Sequence, residues 1–126
     1  MSKRRGGRSE PSTVIASGEA PPATSLAVVV IEASGATTAH SIPPGVRTLS
    51  IGRGEKADLR VDDPLLSRVH LTLDLSAGAV RVRDPGSANG TTVRGLRLAR
   101  DEEQPIALGE LVAAGGTSLM VIARAA

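Results

Sequence analysis

The 126-residue chain contains no cysteine, phenylalanine, tyrosine or tryptophan. Without cysteine there is no disulfide scaffold, thiolate metal site or cysteine nucleophile, which is compatible with a cytoplasmic setting. Without aromatic rings there is no platform on which the bases of a single-stranded nucleic acid could stack. A surplus of positive charge is also missing once the charges are placed along the chain. The 15 Lys+Arg against 13 Asp+Glu give +2. Lys3, Arg4, Arg5 and Arg8 against Glu10 already supply +3 of it, so residues 11–126 carry −1. Nucleic acid is therefore not an expected partner. The longest apolar run, Leu26 to Ile31, is far too short to span a bilayer, and Lys3 to Arg8 is not followed by the apolar stretch of a secretory signal. No membrane association is expected. No Gly-x-x-x-x-Gly-Lys occurs, and Asp58, Asp62, Asp63 and His70 match no metal-binding loop, so neither a cofactor nor a metal is expected.

What remains is a composition of 40% hydrophobic and 22% charged residues, which is that of one globular domain whose core must be built from Val, Leu, Ile and Ala. Residues 1–24 are rich in Gly, Ser, Pro and Ala and show neither helical nor strand periodicity, which predicts a disordered leader before a domain over 25–126. From Leu26 onward, short β-branched and aliphatic runs are separated every 8 to 12 residues by turn signals such as Ser34-Gly35, Pro43-Pro44-Gly45, Pro85-Gly86, Asn89-Gly90 and Gly115-Gly116. Strands are expected at 26–32, 37–42, 48–52, 59–61, 69–75, 79–83, 91–93, 97–98, 105–107, 111–113 and 118–123. Val80-Arg81-Val82-Arg83 alternates with period two, the mark of a strand with one face buried and the other wet. No 11-residue window holds a helical apolar register without a Gly or Pro in it, so an all-β sandwich or barrel with almost no helix is expected.

Conspicuous polar residues fall between these strands. They are Gly52-Arg53, Asp58, Ser67-Arg68-Val69-His70, Asp84 and Ser87-Ala88-Asn89-Gly90. Three groups, Ile51-Gly52-Arg53, Leu66-Ser67-Arg68-Val69-His70 and Gly86-Ser87-Ala88-Asn89-Gly90-Thr91, stand in the order and at the spacing of the forkhead-associated (FHA) family, which the chain resembles over about residues 26–124. The resemblance implies an eleven-stranded β-sandwich whose loops at one end bind phosphothreonine peptides, without catalysis.

The residue types suit that task. The Arg53 guanidinium can give a phosphate two parallel charge-assisted hydrogen bonds, though a strand-end arginine can also be a plain surface charge. Ser67 offers a hydroxyl donor or, alternatively, a turn cap. Arg68 either adds a second cation toward phosphate or pairs with Asp62 or Asp63. The Asn89 carboxamide can donate to and accept from a peptide backbone, while Asn-Gly is also the preferred pair of a type I′ turn. Gly52 and Gly90 are read as sites of close backbone approach or positive φ. Ser-x-x-His could suggest an esterase, but no nucleophile elbow accompanies it. The resemblance implies instead that His70 braces its loop, that Asp58 shapes one, and that Leu65 lies near the side chain three residues after the phosphothreonine, with Arg94 or Arg68 as the alternative there. His40 stands alone on an expected strand, structural or exposed. Ala88 departs from the Ser or Thr common in the family and removes one hydroxyl; Arg94-Gly95 and Gly109-Glu110 depart at positions peripheral to binding.

The expected partners are a phosphothreonine-containing protein and an upstream Ser/Thr kinase, with Thr13, in Ser12-Thr13-Val14-Ile15, as a possible self-ligand. The alternatives are a phosphate-independent interaction or oligomerisation module, or the sensory domain of a larger transcription activator or secretion component.

Overall fold

The computed structural model describes residues 24–76 and 79–125; the leader, and Thr13 within it, lie outside the described residues. Eleven strands account for almost all regular structure. They are β1 (Thr24–Ile31), β2 (Thr37–Ile42), β3 (Thr48–Gly52), β4 (Leu59–Arg60), β5 (Leu71–Asp74), β6 (Val80–Arg83), β7 (Thr91–Val93), β8 (Leu96–Arg97), β9 (Glu103–Ile106), β10 (Val112–Ala114) and β11 (Thr117–Ala125). They form a six-stranded sheet, ordered β2-β1-β11-β10-β7-β8, and a five-stranded sheet, ordered β4-β3-β5-β6-β9. Each expected strand is present; 37–42, 48–52 and 91–93 coincide with β2, β3 and β7, and the others have shifted ends. The fifth begins at Leu71 instead of Val69, because Val69 belongs to the loop that presents Ser67 and Arg68.

Period-two patterning decides what is inside. Leu71 and Leu73 of β5 and Val80 and Val82 of β6 are buried, and the intervening Thr72, Asp74, Arg81 and Arg83 point outward. From the other sheet Val28, Val30, Val112, Leu119 and Val121 meet them, all at most 1% exposed. The core is thus aliphatic throughout, and no aromatic ring is needed to fill it.

Pairing is antiparallel except between β3 and β4, which run parallel with Ile51 opposite Leu59. Six residues are a very short return for a parallel pair. Asp58 makes it possible. Its carboxylate accepts from the Ser50 N–H (2.9 Å) and hydroxyl (3.1 Å), while its own N–H donates to Ser50 Oγ (2.9 Å). This is the loop-shaping role expected for it. The type I′ signature is found not at Asn89-Gly90 but at Arg94-Gly95, where φ is 51° and 78° and two residues join β7 to β8. Arg94 is further fixed by Glu110, at 2.7 Å, and reaches Gln104 and Pro105 O of β9, so it links the two sheets at the β7–β8 turn.

Candidate functional site

Three loops meet at one end of the sandwich: residues 53–58 after β3, 61–70 before β5 and 84–90 before β7. The first two are stitched side by side by their backbones. Arg53 N–H donates to Ser67 O (3.1 Å), Gly54 N–H to Arg68 O (3.0 Å) and His70 N–H to Ile51 O (2.8 Å). That approach requires glycine at 52, because a Cβ there would collide with the Arg68 carbonyl and lie 2.8 Å from that of Ser67. Gly54 repeats the requirement, with an added Cβ 2.9 Å from that of Arg68.

The stitching places Arg53 beside Ser67. The Arg53 Nε–H donates to Leu66 O at 2.6 Å, which fixes the plane of the guanidinium and leaves its two terminal nitrogens for a ligand. Both Arg53 and Arg68 are exposed. Among the described residues neither has a carboxylate within pairing distance; the ion pairs are Arg83–Asp101 and Arg94–Glu110. The expectation that Arg68 could pair with Asp62 or Asp63 is not met, because Asp63 is used elsewhere. Its carboxylate accepts from Leu65 N–H (2.9 Å) on one oxygen and from Gly116 N–H (2.9 Å) and the Thr117 hydroxyl (2.8 Å) on the other. One side chain thereby ties the 61–70 loop of one sheet to the β10–β11 turn of the other. Desolvation pushes its carboxyl up, but the bonds from Leu65, Thr117 and Gly116 outweigh that and hold it below the usual carboxylate range.

Ser67 Oγ accepts the Ala88 N–H at 3.0 Å, so its own proton remains free to donate outward. His70, fully buried, accepts the Ser67 N–H on Nδ1 (3.0 Å) and donates from Nε2 to Gly90 O (2.8 Å). An N–H aimed at Nδ1 requires that nitrogen to be bare. Both ring nitrogens are thus committed to backbone, as a brace between two loops and not as a base for Ser67. His70→Ala would strand both partners and open a cavity, at about 3 kcal/mol or more. The expected result is a melting point lowered by 10 °C or so. A variant that melts like the parent yet has lost its ligand would show that the ring does something other than brace.

The third loop hangs from Asp84, which is 3% exposed. Its Oδ1 accepts the N–H groups of Gly86 (2.8 Å) and Ser87 (2.6 Å), and Oδ2 the hydroxyls of Ser87 (2.6 Å) and Thr91 (2.8 Å). Burial pushes this carboxyl up, while the four bonds, led by those from Ser87, bring it down further, so the net direction is downward. Ser87 Oγ then accepts Gly90 N–H at 2.9 Å, and Gly90, at φ 81°, leaves the space in which the Arg97 guanidinium lies. Asn89 has no positive φ, so the Asn-Gly pair forms a bend held by Ser87 in place of the expected type I′ turn. The bend aims the Asn89 carboxamide across to Leu65 O (2.7 Å), beside the exposed Leu65 side chain.

Eight of the residues singled out from the sequence therefore lie on or directly beneath these loops: Arg53, Ser67, Arg68, Asn89 and Leu65 at the surface, and Gly52, His70 and Gly90 under them. The sequence reading gave no role to Ser87, Gly54 or the cross-sheet clamp at Asp63, and none to Asp84 as the anchor of its loop. Asp84-Pro-Gly-Ser87 does carry a local signal, an Asp two and three residues ahead of the N–H groups it accepts. Asp63 has such a signal only toward Leu65, and none toward its cross-sheet partners, which lie 53 and 54 residues away. His40, partly buried on β2, has its ring bonded among the described residues to the Thr38 hydroxyl alone, outside the three loops.

The wider resemblances agree with this arrangement. The chain is 40% identical over 57 residues to the ABC transporter ATP-binding/permease protein Rv1747 of Mycobacterium tuberculosis, a match covering 45% of this chain and 6% of that protein. It superimposes on the FHA domain of CT664 from Chlamydia trachomatis with a TM-score of 0.67 and 25% identity, over 80% of this chain and 99% of the other. A structure analysed for phosphothreonine-dependent FHA domain interactions matches with a TM-score of 0.63 and 28% identity, over 78% and 95% of the two chains. The sequence profile of the FHA domain matches residues 49–115, more than half the chain and the segment that holds all three loops. With that match, this β-sandwich, and Gly-Arg, Ser-x-x-His and Asn-Gly-Thr brought together at one end of it, the chain belongs to the FHA domain family.

Proposed function

We propose that the chain is a phosphothreonine-peptide binding module, read by this three-loop surface and carrying no catalysis of its own. The observation that carries the reading is the preorganised donor set. Arg53, held through Nε, presents two guanidinium nitrogens with no acid among the described residues close enough to neutralise them, next to a Ser67 hydroxyl whose lone pair is already satisfied. A phosphate dianion has the acceptor oxygens to use both, and little side-chain entropy is left to lose on binding. Arg68 adds charge from the same loop. Asn89 fixes the peptide backbone, exchanging its bond to Leu65 O for one to the ligand or using its free carbonyl oxygen. Phosphothreonine-dependent interactions of the structurally similar FHA domain support the ligand class.

The module would answer an upstream Ser/Thr kinase. Thr13, once phosphorylated, is a candidate self-ligand, since tethering gives a millimolar effective concentration by order of magnitude. In β1 the Thr24 end is the one away from the loops, so Thr13 would have to reach back along the sandwich. An extended stretch from 13 to 24 spans about 35 Å, enough to do so.

Matched peptides, phosphorylated and not, titrated against the chain test the reading. Binding of the phosphorylated form alone is expected, and equal binding of both would refute it. Ser67→Ala and Asn89→Ala should each weaken it by about tenfold, the worth of one hydrogen bond to a charged or buried polar partner. In an oriented peptide library, Ile, Leu or Val should be favoured several-fold over Asp three residues after the phosphothreonine, because Leu65, 52% exposed, offers apolar surface and no cation. Strong selection for Asp would assign that position to Arg68.

A further inference from the structure

The two outer faces of the sandwich differ in chemistry. Across the five-stranded sheet the outward rows are Thr48-Asp74-Arg81-Pro105 and Ser50-Thr72-Arg83-Glu103, polar with charges of both signs, as a wet face should be. The six-stranded sheet breaks that rule at its centre. β1 and β11 do not alternate: Leu26-Ala-Val-Val-Val-Ile31 and Leu119-Met-Val-Ile-Ala123 are apolar on both faces. Val28, Val30, Leu119 and Val121 supply the core. The register then puts Val29 opposite Met120 on one side and Ala39 of β2 on the other, all on the outer face, with Ile31 and Ile122 along the same two strands. Leu111, just before β10, is 51% exposed. The nearest charge the register places on this face is Arg124, at its rim, next outward along β11 after Ile122 and opposite Ser25.

Strands that are apolar on both faces are characteristic of sheets covered on both faces. We infer that this face is an isologous interface with a second copy of the chain, packed sheet against sheet. The absence of charge at its centre argues for that occupant. A charged partner would find nothing there to pair with, whereas two identical faces with uncharged centres meet under a two-fold axis with no like-charge contact and no buried unpaired ion in the middle, Arg124 staying at the wet rim. The contour suits it as well, since Val29, Met120 and Ile122 form a central ridge with small Ala39 and Ala113 to either side, so each ridge can enter the other's hollow. Four strands at about 4.8 Å and five residues at about 3.4 Å give roughly 300 Å² per copy, well short of the roughly 800 Å² per partner of a standard interface. The dimer is therefore weak and concentration-dependent. The phosphopeptide loops, at one end of the sandwich and not on this face, stay open in it.

Sedimentation velocity on the full chain from about 10 µM to about 1 mM tests the inference. Weight-average mass should climb toward that of a dimer across the range, and Met120→Lys should remain monomeric while melting as a folded protein. Leu111→Lys, outside the strands, serves if Met120→Lys does not fold, and Thr72→Lys on the opposite sheet should dimerise as the parent does. A parent chain that is monomeric at the top of the range overturns the inference, as does association undiminished in both Met120→Lys and Leu111→Lys. Should that monomer also shield its Val29 and Met120 methyls from a soluble paramagnet, residues 1–23 of the chain itself are the cover.

Discussion

Replacing Arg53 by alanine should weaken binding of a phosphothreonine peptide ten- to a hundredfold while leaving the fold in place. A hydrogen bond to a charged group contributes roughly 1.5 to 3 kcal/mol, and the terminal nitrogens of Arg53 can make two to a phosphate. Set against a micromolar complex of about −8 kcal/mol, the upper end of that range removes one to two decades of affinity. The cost to the fold is small, since the side chain is exposed and, among the described residues, it makes a single hydrogen bond, from Nε to Leu66 O. Lysine should not restore binding. It has no Nε to hold Leu66 O, so its ammonium would be neither fixed in place nor forked. Isothermal titration of the parent, Arg53→Ala and Arg53→Lys with one phosphothreonine peptide decides the matter, and an unchanged affinity in Arg53→Ala would remove the ground for the proposed function.

The largest effect on stability is expected at Asp84. Alanine there leaves two N–H groups and two hydroxyls without the acceptor they share in a buried setting. The cost is about 3 to 5 kcal/mol, a large part of the 5 to 15 kcal/mol that a domain of this size possesses. Asp84→Asn should be milder. Its remaining oxygen can face the two N–H groups, while its amide donates to the hydroxyls, which can turn to accept. Ligand binding should fall with stability in both, because Ala88 and Asn89 are carried by the loop that Asp84 holds. A pH dependence accompanies this. The folded carboxyls of Asp84 and Asp63 both lie below the usual carboxylate range, so the unfolded chain takes up protons first as pH falls. Their contribution is complete above the unfolded carboxylate pKa of about 4 and is lost below it, through the lower folded values. Melting temperature should thus be flat from about pH 7 to 5 and drop below about pH 4. Asp84→Asn should flatten that drop, and a profile identical to the parent's would show that the carboxylate charge contributes nothing.

Much of this was legible in the residues themselves. Alternation in Leu71-Thr-Leu-Asp74 and Val80-Arg-Val-Arg83, and the Gly, Pro and Asn between runs, located all eleven strands, because period and turn chemistry are local properties of a chain. The spacing of Gly52-Arg53, Ser67-Arg68-Val69-His70 and Asn89-Gly90 pointed to the functional end. Local preference misled where a tertiary contact overrode it: Asn89-Gly90 is a bend because Ser87, anchored on Asp84, holds Gly90. Strand pattern alone also left open a sandwich or a barrel, and nothing in it assigned β1 and β2 to one sheet and β3 to β6 to the other. Only the folded chain decided that Gly52 is small to admit the Arg68 carbonyl, that Asp63 joins the two sheets at Gly116 and Thr117, and that Arg94 pairs with Glu110. Each of these depends on groups 16 to 54 residues apart meeting within hydrogen-bond or van der Waals range. Which distant residues meet is set by how the two sheets pack, and a sequence period carries no record of it.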